Sequence, residues 1–359
     1  VRIVVTGASG NVGTALLRRL HEAGGWQVTG VVRRPPDPTS APYRWADWVA
    51  CDLGAFDATD RLVDVLTGAD AVVHLAWSIN PSRTDPPMDH TNLAGTGNLL
   101  RAVAAAEVSQ LVCASSVAAY RPPARWRKVA EDWPCDGVPG SAYSRGKAQL
   151  EVLLDRFAAE QPDVSVARIR PCAIVQRDAA GEFARWLLSP LLPEGVLGRR
   201  WLSLPFWPGL RAQVVHADDV AEAIRLILRQ RALGAFNIAG EGVLGAARLA
   251  ETVGGFHLSV PRPLVLAAAW AGWRTGLQPT HPGWLRLADQ AALVTTTRAR
   301  TVLGWRPRYG SEDALTELVT AMRAGQGTAS APLAPRDLRG VADRLRAIRW
   351  GTPSHQAQS

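Results

Sequence analysis

Short apolar runs alternate with longer stretches of helical periodicity along most of this chain. Residues 2–5 (Arg-Ile-Val-Val) read as a strand, followed by a glycine-rich turn and a helical pattern from Asn11 to Glu22. Gln27–Val32 is a second strand, and Ala69–Leu75 is a buried third or fourth. A helix near Asn92–Ala106 leads to a strand at Gln110–Ala114. A helix over Tyr143–Glu160 then leads to a strand at Val164–Ile169. A strand–helix unit at Gln213–Arg229 and a strand at Ala235–Ala239 complete the series. Apolar strands alternating with helices of this length predict an α/β fold, a doubly wound parallel sheet with ligand sites at the carboxyl ends of its strands.

The pattern changes after Pro171. Residues 181–211 are rich in Trp, Pro, Leu and Gly, and residues 241–323 read as mainly helical. Seven of the 14 tryptophans fall between positions 186 and 305. This predicts a dinucleotide-binding domain of Rossmann type over residues 1–170 plus about 212–240, with a smaller, mainly helical substrate-binding part from about 171–211 and 241–323. Residues 325–335 read as a Gly/Ala/Ser/Pro linker, Asp337–Arg349 as a basic amphipathic stretch, and 324–359 together as linker and tail.

Composition narrows the function classes. A hydrophobic content of 47% with 20% charged residues suits a soluble globular protein. The net charge of +8 invites a nucleic-acid partner, but residues 323–359 alone hold six Arg against two Asp, and no zinc-finger, helix-turn-helix or RNP pattern accompanies them. Four scattered cysteines (Cys51, Cys113, Cys135, Cys172) read as reduced thiols, with no metal-site spacing. The longest apolar stretch, Leu264–Trp273, is too short to span a bilayer, and a strand beginning at residue 2 leaves no room for a signal peptide. The expectation is a cytoplasmic protein.

Two local signals carry chemistry. Thr6-Gly7-Ala8-Ser9-Gly10-Asn11-Val12-Gly13 follows a strand and opens a helix, where backbone N–H groups and the helix dipole favour a pyrophosphate. The second is Tyr143-x-x-x-Lys147. The chain has four tyrosines and only two lysines among its 40 basic residues. Chance alone would give roughly 0.02 such pairs. A lysine kept in an arginine-biased chain points to a compact ammonium at that place. Helical spacing puts the phenol and the amine on one face.

Gly-x-x-Gly-x-x-Gly with Tyr143-x-x-x-Lys147 resembles the extended short-chain dehydrogenase/reductases, the NAD-dependent epimerase/dehydratase family. Val72-Val73-His74-Leu75-Ala76 is similar to the family's fourth-strand segment, and Asn92–Leu100 to its Asn-x-x-Gly-Thr-x-Asn helix. Ser115-Ser116-x-x-x-Tyr120, Val215–Ala221 and Leu303–Pro307 match later segments, so the resemblance runs from residue 1 to about 323. It implies Tyr143 as general acid/base, Lys147 as its electrostatic tuner and ribose anchor, and Ser116 as hydrogen-bond donor to the substrate, with Ser115 as fallback. A free tyrosine near pKa 10 needs a pull of roughly 4 kcal/mol to reach neutrality, and a nearby ammonium acts in that direction. The resemblance further implies Gly7, Ser9, Gly10, Asn11, Val12, Gly13, Asp52, Leu53, Leu75, Ala76, Asn92, Tyr143, Lys147 and Pro171 along the cofactor. Asn98, His74 and His216 are expected to hold geometry and take no part in the chemistry.

The second strand ends in Val31-Val32-Arg33-Arg34, with no acid for a ribose 2′-hydroxyl. Arginine there accommodates a 2′-phosphate, so NADP(H) is favoured over NAD(H), with Arg33 and Arg34 on the phosphate. Departures from the family pattern bear on the reaction. Ser116 is followed by Val117-Ala118, where sugar dehydratases carry an Asp-Glu pair. The Asn that nucleotide-sugar epimerases place after the Arg168-Ile169-Arg170 strand end is missing. The leading expectation is an NADP(H)-dependent oxidoreductase moving hydride to or from a carbonyl or alcohol of a bulky, largely apolar small molecule. The alternative is a nucleotide-sugar epimerase whose diphosphate site uses Arg170, Arg199, Arg200 or Arg211. A non-catalytic dinucleotide-binding protein fits less well, because Tyr and Lys are both kept. The resemblance also implies a homodimer through the helices carrying Asn92 and Tyr143.

Overall fold

The computed structural model describes residues 1–79, 89–189, 192–278 and 280–336. Asp337–Arg349, expected as a basic amphipathic stretch, lies outside the described residues. Seven strands form the central sheet: β1 (Arg2–Thr6), β2 (Gln27–Val32), β3 (Asp47–Ala50), β4 (Ala71–His74), β5 (Gln110–Ala114), β6 (Ser165–Pro171) and β7 (Gly234–Ile238). Their order is β7-β6-β5-β4-β1-β2-β3, with every pairing parallel. The strand order reverses between β1 and β4, which opens a crevice at their carboxyl ends.

Successive side chains of a strand point to opposite faces, and β1 shows this directly. Ile3 and Val5 enter one core with Leu16, Leu20, Ile224 and Ile227, while Val4 enters the other with Leu62, Leu99, Val103, Leu150 and Leu154. The first core is closed by helices α1 (Asn11–Ala23) and α5 (Ala217–Gln230). The second is closed by α2 (Ala58–Leu66), α3 (Gly95–Ala105) and α4 (Ala142–Glu160). Strands buried on both faces read as continuous apolar runs, which is why most were visible in the sequence.

β3 was not anticipated. It is a four-residue edge strand whose two end residues are exposed, so its pattern is too short and too polar to stand out.

Ser203–Phe206 pairs in parallel with Phe256–Ser259. Helices Ala180–Leu187, Ala246–Val253 and Ser311–Arg323 pack around Val214, Leu244, Leu318 and Met322. Residues 325–335, expected as a linker, are packed in part against the glycine-rich loop and Tyr43. Leu333 is fully buried, the Ser330 hydroxyl donates to the Ser9 carbonyl at 2.6 Å, and Thr328 Oγ1 lies 2.7 Å from the Tyr43 hydroxyl.

Candidate functional site

The glycine-rich loop joins β1 to α1. Gly7 has φ +70°, and a Cβ there would lie 2.7 Å from the Ala76 nitrogen, so only glycine lets the loop pass the end of β4. A Cβ on Gly13 would meet the Ala8 carbonyl carbon at 2.5 Å, which keeps α1 tight against the loop. α1 begins at Gly10 with no side-chain cap and no acid in its first turn. Its N-terminal N–H groups and dipole are therefore left to an anionic ligand, and the loop fits a dinucleotide pyrophosphate. Arg33 and Arg34 are exposed just past β2. Asp52 accepts from the Gly54 N–H at 3.1 Å, and Asn98 donates to the Leu53 carbonyl at 2.7 Å, which fixes the turn after β3. Leu75 and Ala76 close the same edge, and buried Pro171 ends β6.

β5 ends at Ala114, which places Ser115 and Ser116 at the carboxyl edge of the sheet. The two hydroxyls take different routes. Ser115 donates to the buried Glu151 carboxylate at 2.5 Å. Ser116 accepts from the Ala118 N–H at 3.1 Å and lies close enough to Tyr143 to favour its ionised form. The hydroxyl beside the phenol is thus that of Ser116.

α4 carries Tyr143, Lys147 and Glu151 on one face at i, i+4 and i+8. It starts at Ser141, whose hydroxyl accepts from the Ser144 N–H, and Ser144 in turn donates to Ala118 and accepts from Val138 at 2.5 Å each. These bonds lock the helix start to the turn after Ser116. Lys147 is 3% exposed, and its Nζ donates to the Ala114 carbonyl at 2.8 Å. It lies 6.0 Å from the centre of the Tyr143 ring. Burial pushes the ammonium down to about 7, while Cys113 and Glu151 pull upward. Burial pushes the Tyr143 phenol upward, against a smaller downward pull from the Ser116 hydroxyl. The described residues therefore hold the phenol in its acid form and do not produce the depression expected from the neighbouring ammonium.

Beneath the site lies a charged network. Arg170 grips Glu151 with two bonds of 2.8 Å and also donates to the Tyr120 hydroxyl and the Glu131 carbonyl. Arg168 adds a bond of 2.9 Å to the same carboxylate. Tyr120, the last residue of the Ser-Ser-x-x-x-Tyr segment, donates to Asn237 at 2.7 Å and takes no place in the cleft.

The expected geometric roles of the two histidines agree with their surroundings. His74 bridges Thr6 and Thr96, and burial together with Lys147 pushes it down to about 3, leaving it neutral. His216 caps α5 by accepting from the Asp218 N–H and stacks on Tyr309. Asn92 does not reach Tyr143. Its amide accepts from the Ser78 N–H at 2.6 Å and donates to the Ser78 carbonyl at 2.9 Å.

Over the phenol stands an apolar wall that no motif announced. Trp284 lies against Tyr143, with Leu287, Val138, Ala118 and Ala291 around them. Two arginines considered for a diphosphate are already engaged. Arg170 serves Glu151, and Arg211, 4% exposed, donates to the Asp289 and Ala291 carbonyls. Arg199 and Arg200 stay exposed.

A doubly wound parallel sheet with an uncapped glycine loop and a Ser/Tyr/Lys set at the next strand ends defines a dinucleotide-binding α/β enzyme. The family model described as the NAD dependent epimerase/dehydratase family matches residues 3–239, and the chain belongs to that family. The chain is 29% identical over 337 residues to a UDP-glucose 4-epimerase of Mycolicibacterium smegmatis, covering 90% of this chain and 99% of that protein. It is 31% identical over 335 residues to a 3-diazoavenalumate denitrifying reductase of a Streptomyces species, covering 87% and 97%. It spans only 31% of the length of uncharacterised proteins from Mycobacterium tuberculosis and Mycobacterium bovis, to which it is 28% identical. Among solved structures, MoeE5 in complex with UDP-glucuronic acid and NAD shares the fold, with a TM-score of 0.66, 23% identity and coverage of 90% of this chain and 99% of that one. Among the described residues, no helix is long and apolar enough to cross a membrane.

Proposed function

We propose that this chain is an NADP(H)-dependent oxidoreductase that reduces a carbonyl, or oxidises the corresponding alcohol, on a bulky and largely apolar small molecule. The observation that carries this reading is the apolar cluster of Trp284, Leu287 and Val138 packed with Tyr143. Such a surface suits an apolar ligand with few polar anchors. The bound dinucleotide supplies or accepts the hydride. Ser116 then orients the substrate oxygen, and Tyr143, held protonated by burial, delivers its proton to that oxygen in the reductive direction. Lys147, one turn along α4 from Tyr143, would supply an ammonium for the ribose. Residues 171–211 and 241–323 form the substrate-binding part, and a homodimer through the outer faces of α3 and α4 belongs to the same proposal. The reductase activity named for the Streptomyces relative supports this reading.

A second reading, a nucleotide-sugar epimerase, is favoured by the relative named UDP-glucose 4-epimerase, matched over nearly its whole length. It would have to hold a diphosphate with Arg199 and Arg200, since Arg170 and Arg211 are buried in other bonds.

Thermal shift and titration with NADPH, NADH and nucleoside diphosphates separate the two. Stabilisation by NADPH over NADH, lost in Arg33→Ala, is the expected result. Stabilisation by a nucleoside diphosphate with preference for NADH would overturn it.

A further inference from the structure

Trp77, one residue past the Leu75-Ala76 edge, lies across Lys147: the ammonium sits 3.6 Å from the centre of the indole ring. The approach depends on Gly146, where a Cβ would lie 3.3 Å from the Trp77 ring. The loop is held in place by the two bonds between Asn92 and the Ser78 backbone. On the other side, the Ala114 carbonyl accepts from Nζ. Glu151, one turn along α4, is gripped by Arg168, Arg170 and Ser115 and is tied in that direction. The ammonium is thus held between a carbonyl dipole and an aromatic face.

We infer that Trp77 is a positioning residue for Lys147, its indole face replacing the water that would otherwise stabilise the ammonium and keeping Nζ fixed beside Ala114. The negative face of an aromatic ring attracts a cation, most strongly for tryptophan and in a dry setting. Burial already brings Lys147 down to about 7, so a modest attraction decides its charge at neutral pH. The other groups facing it are Cys113 from β5, Glu151 and Tyr143 from α4, and His74 from β4, which stays neutral. The inference rests on the proposed function only in supposing that this charge is used in turnover.

The test reads the ammonium itself. The chain has two lysines, so protein labelled at the lysine side chains gives two signals, and Lys128→Arg assigns them. Their pH titration is compared in wild type, Trp77→Phe and Trp77→Leu. The Lys147 midpoint is expected to fall by about one pH unit in Trp77→Leu and by less in Trp77→Phe, with Lys128 unmoved. A midpoint that stays or rises in a Trp77→Leu protein melting near wild type overturns the inference. If Trp77→Leu does not fold, a Trp77→Phe midpoint at or above wild type does the same. No cofactor or substrate enters the titration, so its outcome is separate from the dinucleotide proposal.

Discussion

The rings of Tyr143 and Trp284 lie 5.0 Å apart, tilted by 35°. The residue expected to handle the substrate proton is therefore flanked by a large apolar surface from a distant part of the chain. Trp284→Ala should raise the KM for aromatic or alicyclic carbonyl substrates by roughly tenfold, the scale of a lost apolar contact, with little change in kcat. Steady-state kinetics over a series of substrate sizes checks it. An unchanged KM would mean that the substrate lies elsewhere.

Tyr143→Phe keeps the ring against Trp284 and removes only the hydroxyl. Turnover should fall by about 100-fold or more. Dinucleotide affinity, measured by fluorescence or calorimetry, should stay within about twofold, because the phosphate loop is untouched. Full turnover in this variant would remove Tyr143 from the mechanism.

Glu151 gives a stability prediction with a defined pH window. Burial pushes its carboxyl up, but the hydrogen bonds and charges of Arg170 and Arg168 outweigh it and hold the group at about 2. A carboxyl lowered by folding stabilises the protein above its unfolded value of about 4.3, and that contribution, roughly 3 kcal/mol, is lost as pH falls from there toward 2. Glu151→Gln should lack this acid limb in a melting-versus-pH series. It should also be less stable by about 3–5 kcal/mol at pH 7, because buried Arg170 is left without a counter-charge and Arg168 keeps only the exposed Asp155.

The strand-end arginines are predicted to discriminate between cofactors. Arg33→Ala should weaken NADPH binding by about 10- to 100-fold, the worth of one charge-assisted hydrogen bond, and leave NADH binding within about threefold. Equal losses for both would assign Arg33 to the pyrophosphate or to general electrostatics.

Much of this architecture is legible in the chain, and the reasons differ by element. Gln27–Val32 and Gln110–Ala114 were readable to the residue, since each carries buried apolar residues on both faces of the sheet. The glycine loop was readable because Gly7 and Gly13 face backbone at distances no Cβ tolerates. Tyr143 and Lys147 were legible as a pair through spacing and rarity, and Ser116 through the family resemblance. The Trp284 wall and the Trp77–Lys147 contact were not, because each joins segments whose proximity depends on the fold and follows no local period. The engagement of Arg170 and Arg211 was hidden for the same reason. A basic residue near a cleft looks available until its partners, here Glu151 and the Asp289 carbonyl, are seen.

Removing residues 325–359 should do more than trim a tail. Leu333 leaves the core, and the contacts of Thr328 and Ser330 with Tyr43 and Ser9 are lost. Stability should drop by at least about 2 kcal/mol, and dinucleotide affinity should fall with it. A truncated protein that melts and binds like the full chain would show the segment to be dispensable.

That contact also carries a consequence for how the molecule is made. The bond from Ser330 to the Ser9 carbonyl joins positions 321 residues apart. During synthesis the phosphate loop emerges 321 residues before the hydroxyl that braces it. The nascent Rossmann half must hold its apolar strands together without that brace while more than 300 residues are added. The loop that cradles the dinucleotide is therefore completed only long after it has been made.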